Sequence, residues 1–366
     1  MKSDKKNIRV GVLTFHNGPN FGGVLQAWHM VHAIRSLGYT CHAVNYLHPT
    51  HHENNQIPIP LTSLSALKAR TFWTLKKHGF RNFEDSICHH NFTDDIGQVP
   101  WDDFDVFVVG SDVIWNYEHE AFGRDPVYFG MVPQMMGKPI IAYAASAGHA
   151  PVSGPFPNYV SEGLANFEAI GVRDEATAEL VRKASGREAT IVVDPTWLSP
   201  EPASKWKGLP KRKYLFVYGG RADPELSALI GDYCRSNDLQ FVSALTSCKG
   251  ADKMYRVLDP FQWVELFRNA EATVVLGTLH GTVYSIKYGM PFILATSPTT
   301  TQKISSILDR VGHQNRLFEP GTVRKEDLSL LSSTSHPVPS IPTAWRKQSL
   351  DFLETSLAAA SAQVLH

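Results

Sequence analysis

Apolar positions along the chain fall into two rhythms. Short, nearly continuous apolar runs cover residues 8–15, 40–46, 104–109, 139–144, 169–172 and 190–193. Runs of this length without polar alternation read as strands buried on both faces, as in a parallel sheet. Between the first two runs, residues 24–37 place Leu25, Trp28, Val31, His32 and Ile34 near helical spacing, and Gly38 follows as a stop. Strand, Gly-rich loop, helix, strand is a βαβ unit, which implies parallel pairing and a right-handed crossover. Further helices are predicted over 63–78, 162–167 and 174–185, the last closed by Gly186. A basic stretch at 207–213 reads as a linker. A second α/β series then follows. Its strands are predicted at 214–218, 239–244, 272–276 and 291–294, and its helices at 223–237, 260–269, 281–288 and 302–311. Pro337, Pro339 and Pro342 precede a last helix over 344–362. The pattern therefore predicts two consecutive doubly wound α/β domains and a C-terminal helix, with no short-period repeat.

Composition narrows the class. The 366 residues are 43% hydrophobic and 19% charged, enough apolar mass for real cores. Lys+Arg and Asp+Glu are both 35, so the formal net charge is zero. A neutral chain has no global pull toward nucleic acid or an anionic membrane, and an anionic ligand needs a dedicated site. Cys41, Cys88, Cys234 and Cys248 are far apart and form no C-x-x-C pair, which suits reduced thiols in a cytoplasmic protein. The basic N-terminus leads into an apolar run too short to span a bilayer, and no later segment reaches that length. The expectation is a soluble, cytoplasmic protein without a transmembrane segment, with room for peripheral membrane contact.

Candidate chemistry lies at strand ends, where ligands bind in open parallel sheets. The strongest case runs from Val274 to Ser285: a strand stops at Gly277, and His280 stands just before a helix. The N–H groups of Gly281, Thr282 and Val283 would then point outward, joining backbone and helix dipole in an anion site. The competing role for His280 is a helix cap. Arg173, beside Asp174 as a helix N-cap, offers a bidentate fork for carboxylate or phosphate; the alternative is a surface pair between these two. The loop from Asn17 to Gly23 is not G-x-G-x-x-G, and Tyr46 rather than an acid ends the next strand. It reads either as a tight turn or as a sugar or anion contact by Asn20 and Gln26. In Gly110-Ser111-Asp112-Val113-Ile114-Trp115-Asn116, Asp112 is a candidate general base and Trp115 a candidate sugar platform. The alternatives are an N-cap for Asp112 and a core position for Trp115, which taken alone suits Trp115 better. Asp194, before Pro195, reads as a turn residue. The pairs His51-His52 and His89-His90 do not face one metal from a helix, so no metal is expected.

Together these stretches resemble the polysaccharide pyruvyl transferase family. The matching segments are Asn20-Phe21-Gly22-Gly23-Val24-Leu25-Gln26-Ala27, the 110–116 loop, Tyr143-Ala144-Ala145-Ser146-Ala147-Gly148, Val172-Arg173-Asp174, Val193-Asp194-Pro195-Thr196 and Leu279-His280-Gly281-Thr282-Val283-Tyr284-Ser285. They occur in the family's order over about residues 8–318. One departure is Thr278, where members often carry Ser or Arg.

The resemblance implies two Rossmann-like domains facing a cleft, similar to GT-B glycosyltransferases. It implies phosphoenolpyruvate as donor substrate, no separate cofactor, and transfer of its carboxyethylidene group to two hydroxyls of a glycan or lipid-linked sugar, as in exopolysaccharide or cell wall glycan biosynthesis. On that reading His280 is the acid and Asp112 the base. Arg173, Leu279, Gly281, Thr282, Gly219 and Gly220 bind the donor; Asn20, Gln26, Trp115 and Asn116 meet the acceptor. The expected domains are 1–205 on the acceptor side and 212–325 on the donor side, with 340–366 packing back on the first. The rival readings are a nucleotide-sugar glycosyltransferase of the same architecture and a non-catalytic glycan-binding protein.

Overall fold

The computed structural model describes residues 5–18, 20–55, 74, 79–80, 83–245, 248–332 and 340–365. The helix expected over 63–78 lies outside them except for Thr74. The described chain divides into two compact units: residues up to 55, 80–200 and the C-terminal helix form the first, and 201–342 form the second together with Thr74 and Gly79. The division falls ahead of the basic 207–213 stretch because Glu201 is already anchored in the second unit. Its carboxylate accepts from Lys287 Nζ at 2.7 Å and Tyr288 Oη at 2.6 Å.

The first unit is built on β1 (Arg9–Leu13), β2 (Thr40–Ala43), β3 (Val106–Val109), β4 (Ile140–Ala145), β5 (Ala169–Val172) and β6 (Thr190–Ile191). They form one parallel sheet in the order β2-β1-β3-β4-β5-β6. Every residue of β3 and β4 is buried, as their unbroken apolar pattern requires. Helix α1 (Phe21–Ser36) follows β1 and starts three residues earlier than its apolar spacing suggests. Asn20 sets that start, because its side chain accepts from the N–H groups of Gly22 and Gly23. Next come α2 (Pro49–Asn55), α3 (Asn158–Asn166) and α4 (Glu175–Ser185).

The second unit repeats the plan with β7 (Tyr214–Gly219), β8 (Gln240–Ala244), β9 (Lys253–Tyr255), β10 (Ala272–Leu276), β11 (Phe292–Ala295) and β12 (Leu317–Phe318), all parallel in the order β12-β11-β10-β7-β8-β9. β9 and β12 were not legible in the sequence, being only three and two residues long. The helices are α5 (Pro224–Ser236), α6 (Pro260–Arg268), α7 (Leu279–Lys287) and α8 (Pro298–Val311).

The last helix, α9 (Thr343–Val364), belongs to the first unit and packs on β3 and β4. It buries Leu353, Leu357 and Ala360, and Ser349 Oγ accepts from Val193 N at 3.0 Å. Arg346 Nε donates to the carbonyl of Trp197 at 2.8 Å. Among the described residues no helix is long and apolar enough to cross a membrane, and no group of three or more His, Cys, Asp or Glu is placed to hold a metal ion.

Candidate active-site loops

Each sheet has one place where neighbouring strands send their connections to opposite sides, and such a switch point opens a crevice at the strand carboxyl ends. In the first unit it lies between β1 and β3, and in the second between β7 and β10. Most of the sequence candidates collect at these two places; Arg173 instead follows β5, two strands beyond β3.

At the first switch point, the exit loops of β1 and β3 are joined by Gln26, whose side chain is fully buried. Its Nε2 lies within hydrogen-bond distance of Thr14 Oγ1 at 2.8 Å, Phe15 O at 3.1 Å and Gly23 O at 2.8 Å. Its Oε1 accepts from Ser111 N at 3.2 Å and Ser111 Oγ at 3.1 Å. Gln26 therefore ties the site's framework together rather than facing a sugar, which corrects its expected acceptor contact. Asn20 is exposed, with its Oδ1 engaged in capping α1.

Gly110 holds φ at 124°, and a Cβ there would sit 2.1 Å from Tyr143 O, so only glycine fits. Asp112 follows in the left-handed region at φ 76°, a conformation Asp adopts more readily than most residues. Its Oδ1 accepts from Val113 N at 2.8 Å and its carbonyl from Ser146 N at 2.9 Å. It caps no helix, and its side chain is only half-buried.

Sequence reasoning missed His51. Its ring is buried edge-on against Phe15, with centroids 4.4 Å apart, and also packs on Phe122. Burial pushes its pKa down to about 4, against the opposing pull of the nearby Asp112 carboxylate. Its Nδ1 is buried with no hydrogen-bond partner among the described residues. In the sequence only its neighbour His52 drew attention to it, and that residue turns away to Asp94.

At the second switch point, Gly219 has φ 121°, and a Cβ would lie 2.2 Å from Leu276 O. Gly220 N donates to that same carbonyl at 2.7 Å, drawing the two loops together. Helix α7 begins at Leu279, two residues before its expected start, so His280 lies inside the first turn rather than ahead of it. The outward N–H groups change accordingly. Thr282 N turns back to Thr278 O at 3.3 Å, leaving Leu279, His280 and Gly281 as the first-turn donors. Thr278 gives its helix no side-chain cap of the kind that Asn20, Asp174, Asp223 and Asp259 give theirs, and a helix start of that kind suits an anion.

A family model for polysaccharide pyruvyl transferase matches residues 20–297, well over half the chain. The chain belongs to the polysaccharide pyruvyl transferase family. It is accordingly a transferase. Comparison with curated proteins finds no match. Among solved structures, the S. aureus MnaA–UDP complex is similar with a TM-score of 0.50 at 11% identity, covering 96% of this chain and 97% of that one. Arabidopsis thaliana UGT89C1 with UDP has a TM-score of 0.48 at 12% identity, covering 98% and 100%. Acinetobacter baumannii MurG has 0.44 at 10% identity, covering 95% and 99%. The fold class is GT-B-like: two Rossmann-like units, each on a six-stranded parallel sheet, with a C-terminal helix.

Within this pyruvyl transferase framework several side chains take unexpected positions. Trp115 is fully buried, donates Nε1 to Tyr128 O at 2.8 Å and stacks on Phe129. It is core, not a sugar platform. Asn116 is 8% exposed at the edge of the same loop. Arg173 is no surface partner of Asp174. It is 4% exposed, and its Nη1 lies 3.4 Å from Oδ2 of the buried Asp194. Asp174 instead caps α4 through Thr177 N at 2.8 Å and accepts from Ser146 Oγ at 2.7 Å. Asp194 is a turn residue as well, accepting from Thr196 N at 3.0 Å. Gly281 is a packing glycine: a Cβ there would lie 2.5 Å from Thr278 Oγ1 and 2.9 Å from Val275 Cγ1. Thr282 is fully buried, its hydroxyl donating to Thr278 O at 3.0 Å. The donor expectation for Gly281 and Thr282 therefore rests on the Gly281 N–H, not on the Thr282 side chain.

Proposed function

We propose that this family member moves the carboxyethylidene group of phosphoenolpyruvate onto two hydroxyls of a sugar in a glycan or glycan precursor, forming a pyruvate ketal. The observation that carries the reading is the uncapped first turn of α7 at the second switch point, with His280 within it. The donor's phosphate or carboxylate suits the Leu279, His280 and Gly281 N–H groups. Arg173 is assigned to the other anionic end: a guanidinium has five donors, and its Nη1 meets Asp194 Oδ2 at a long 3.4 Å.

The chemistry needs a proton delivered to the methylene carbon, which becomes the methyl group, while a sugar oxygen bonds to the neighbouring carbon. The second sugar oxygen then displaces phosphate. Of the two hydroxyl protons lost, one balances the new C–H bond and the other leaves with phosphate. His280 is assigned as the acid. Asp112 is assigned as the base, with the buried His51 within electrostatic reach of its charge. Asn20 and Asn116 are the acceptor contacts that remain after Gln26 and Trp115 are removed.

The test is phosphate release from phosphoenolpyruvate with a panel of nitrophenyl and lipid-linked sugars. Release that depends on both donor and sugar, with an acid-labile ketal in the product, supports the reading. Transfer from a nucleotide sugar with no release from phosphoenolpyruvate would replace it with the glycosyltransferase reading.

A further inference from the structure

A pocket of about 650 Å³ opens at the exit of β7, lined by Gly219, Gly220, Arg221, Ser227, Leu245 and Lys249 among others. We propose that it binds a phosphoryl group through Arg221, Lys249 and Ser227, apart from the donors of the α7 first turn.

Three observations converge. Arg221 and Lys249 are exposed cations brought to one pocket by two different loops, those after β7 and β8. Gly219 and Gly220 carry no side chain to fill the space between them, and Gly219 admits none. Ser227, one turn into α5, is 2% exposed, and its Oγ is buried without a hydrogen-bond partner among the described residues. A buried hydroxyl with an unused donor is stabilised by an acceptor brought within its reach.

Two carboxylates stand nearby. Asp223 caps α5 by accepting from Leu226 N at 2.7 Å, and Glu225 lies exposed in the first turn. The Asp223 charge is engaged by the helix end, which leaves the two cations facing the pocket. A tetrahedral phosphoryl group presents three oxygens to donors arriving from three segments, where a planar carboxylate presents two. The volume exceeds that of one phosphate and suits a diphosphate, or a phosphate with an organic remainder. The donor's phosphate and the diphosphate joining a sugar acceptor to its carrier share this chemistry.

Calorimetry on the full chain with inorganic pyrophosphate and with phosphoenolpyruvate tests the assignment without requiring turnover. Arg221→Gln/Lys249→Gln should weaken pyrophosphate binding by about tenfold or more, and Ser227→Ala by several-fold. Phosphoenolpyruvate affinity unchanged in the double variant would identify the carrier diphosphate as occupant. A parallel loss, with the two ligands competing, would identify the donor phosphate. Either supports the pocket. Pyrophosphate that fails to bind the wild type at millimolar concentration, or binds the folded double variant equally well, overturns it. A thermal melt confirms folding, and Lys249→Gln alone carries the same test if the double variant unfolds.

Discussion

Replacing Gln26 with Leu should damage both the stability of the first unit and turnover, although Gln26 touches no substrate in this reading. The side chain is fully buried. Its removal strands Ser111 N, Ser111 Oγ and the Phe15 carbonyl in an apolar interior. Each buried polar group left unsatisfied costs about 1–3 kcal/mol. Thr14 Oγ1 keeps an acceptor in the Ser111 carbonyl at 2.9 Å, and Gly23 O lies in the first turn of α1, so neither adds a full penalty. Because the stranded groups share one space and relax together, the sum is about 3–5 kcal/mol rather than the arithmetic maximum. The assay is urea denaturation at an unchanged slope, so that a lower midpoint reports stability alone. Turnover should fall with it, because Gln26 is the tie between the loop ending in Asn20 and the loop bearing Asp112. Gln26→Glu separates the two effects. It keeps an acceptor for Ser111 but sets a carboxylate against the Phe15 and Gly23 carbonyls. It should therefore be worse than Leu in stability above the carboxylate pKa and recover as pH falls. A Gln26→Leu protein within about 0.5 kcal/mol of wild type would refute the argument.

In the second unit, Glu201→Leu removes the common partner of Lys287, Tyr288 and Arg268. Breaking a buried pair from one side costs about 3–5 kcal/mol, so an unfolding free energy lowered by less than about 1 kcal/mol in a urea titration would mean the cluster is solvated. His280→Gln should cut turnover by about 10²-fold with an unchanged melting temperature, and near-normal turnover in the folded protein would remove it as the acid. His51 gives a pH signature. Its folded pKa of about 4 lies below its unfolded value of roughly 6.5, so the unfolded chain takes up the proton first. Stability should therefore be lost as pH falls from about 6.5 toward about 4, a window in which the buried His16 and the half-buried His42 also resist protonation. A melt followed across that range should flatten in part in His51→Phe, and an identical slope would mean that His51 is solvated.

The elements were legible where apolar runs were long. β3, β4 and β10 are buried at every position, and their unbroken hydrophobicity announced parallel strands before any pairing was known. One failure came where a polar side chain, not periodicity, sets the boundary. Asn20 starts α1 early by taking two N–H groups that no hydrophobic pattern records. The earlier start of α7 brings His280 into the helix and exchanges two of the three expected anion donors, Thr282 and Val283, for Leu279 and His280. β9 and β12 are too short to carry a rhythm of their own.

The site was legible as loops and not as residues. Both switch points coincide with the glycine-bearing, polar segments that the sequence singled out, because a strand that must end in a crevice needs the same turn chemistry as one that binds a ligand. That degeneracy explains the errors. Within a seven-residue loop, Asp112, Trp115 and Asn116 all became site candidates, although Trp115 taken alone suits a core position. The left-handed backbone at Asp112 then leaves its carboxylate half-buried at the strand end, while Trp115 turns inward to Tyr128 and Phe129. Gln26 looks like a sugar ligand for the reason that makes it a structural tie: an amide donates and accepts at once. Only its complete burial separates the roles. His51 had no signal of its own, since it reaches Phe15 and Phe122 from α2, more than thirty residues beyond the first and about seventy before the second. Its relation to Asp112 is a product of β1 lying beside β3, and it can be reasoned about only after the sheet order is known.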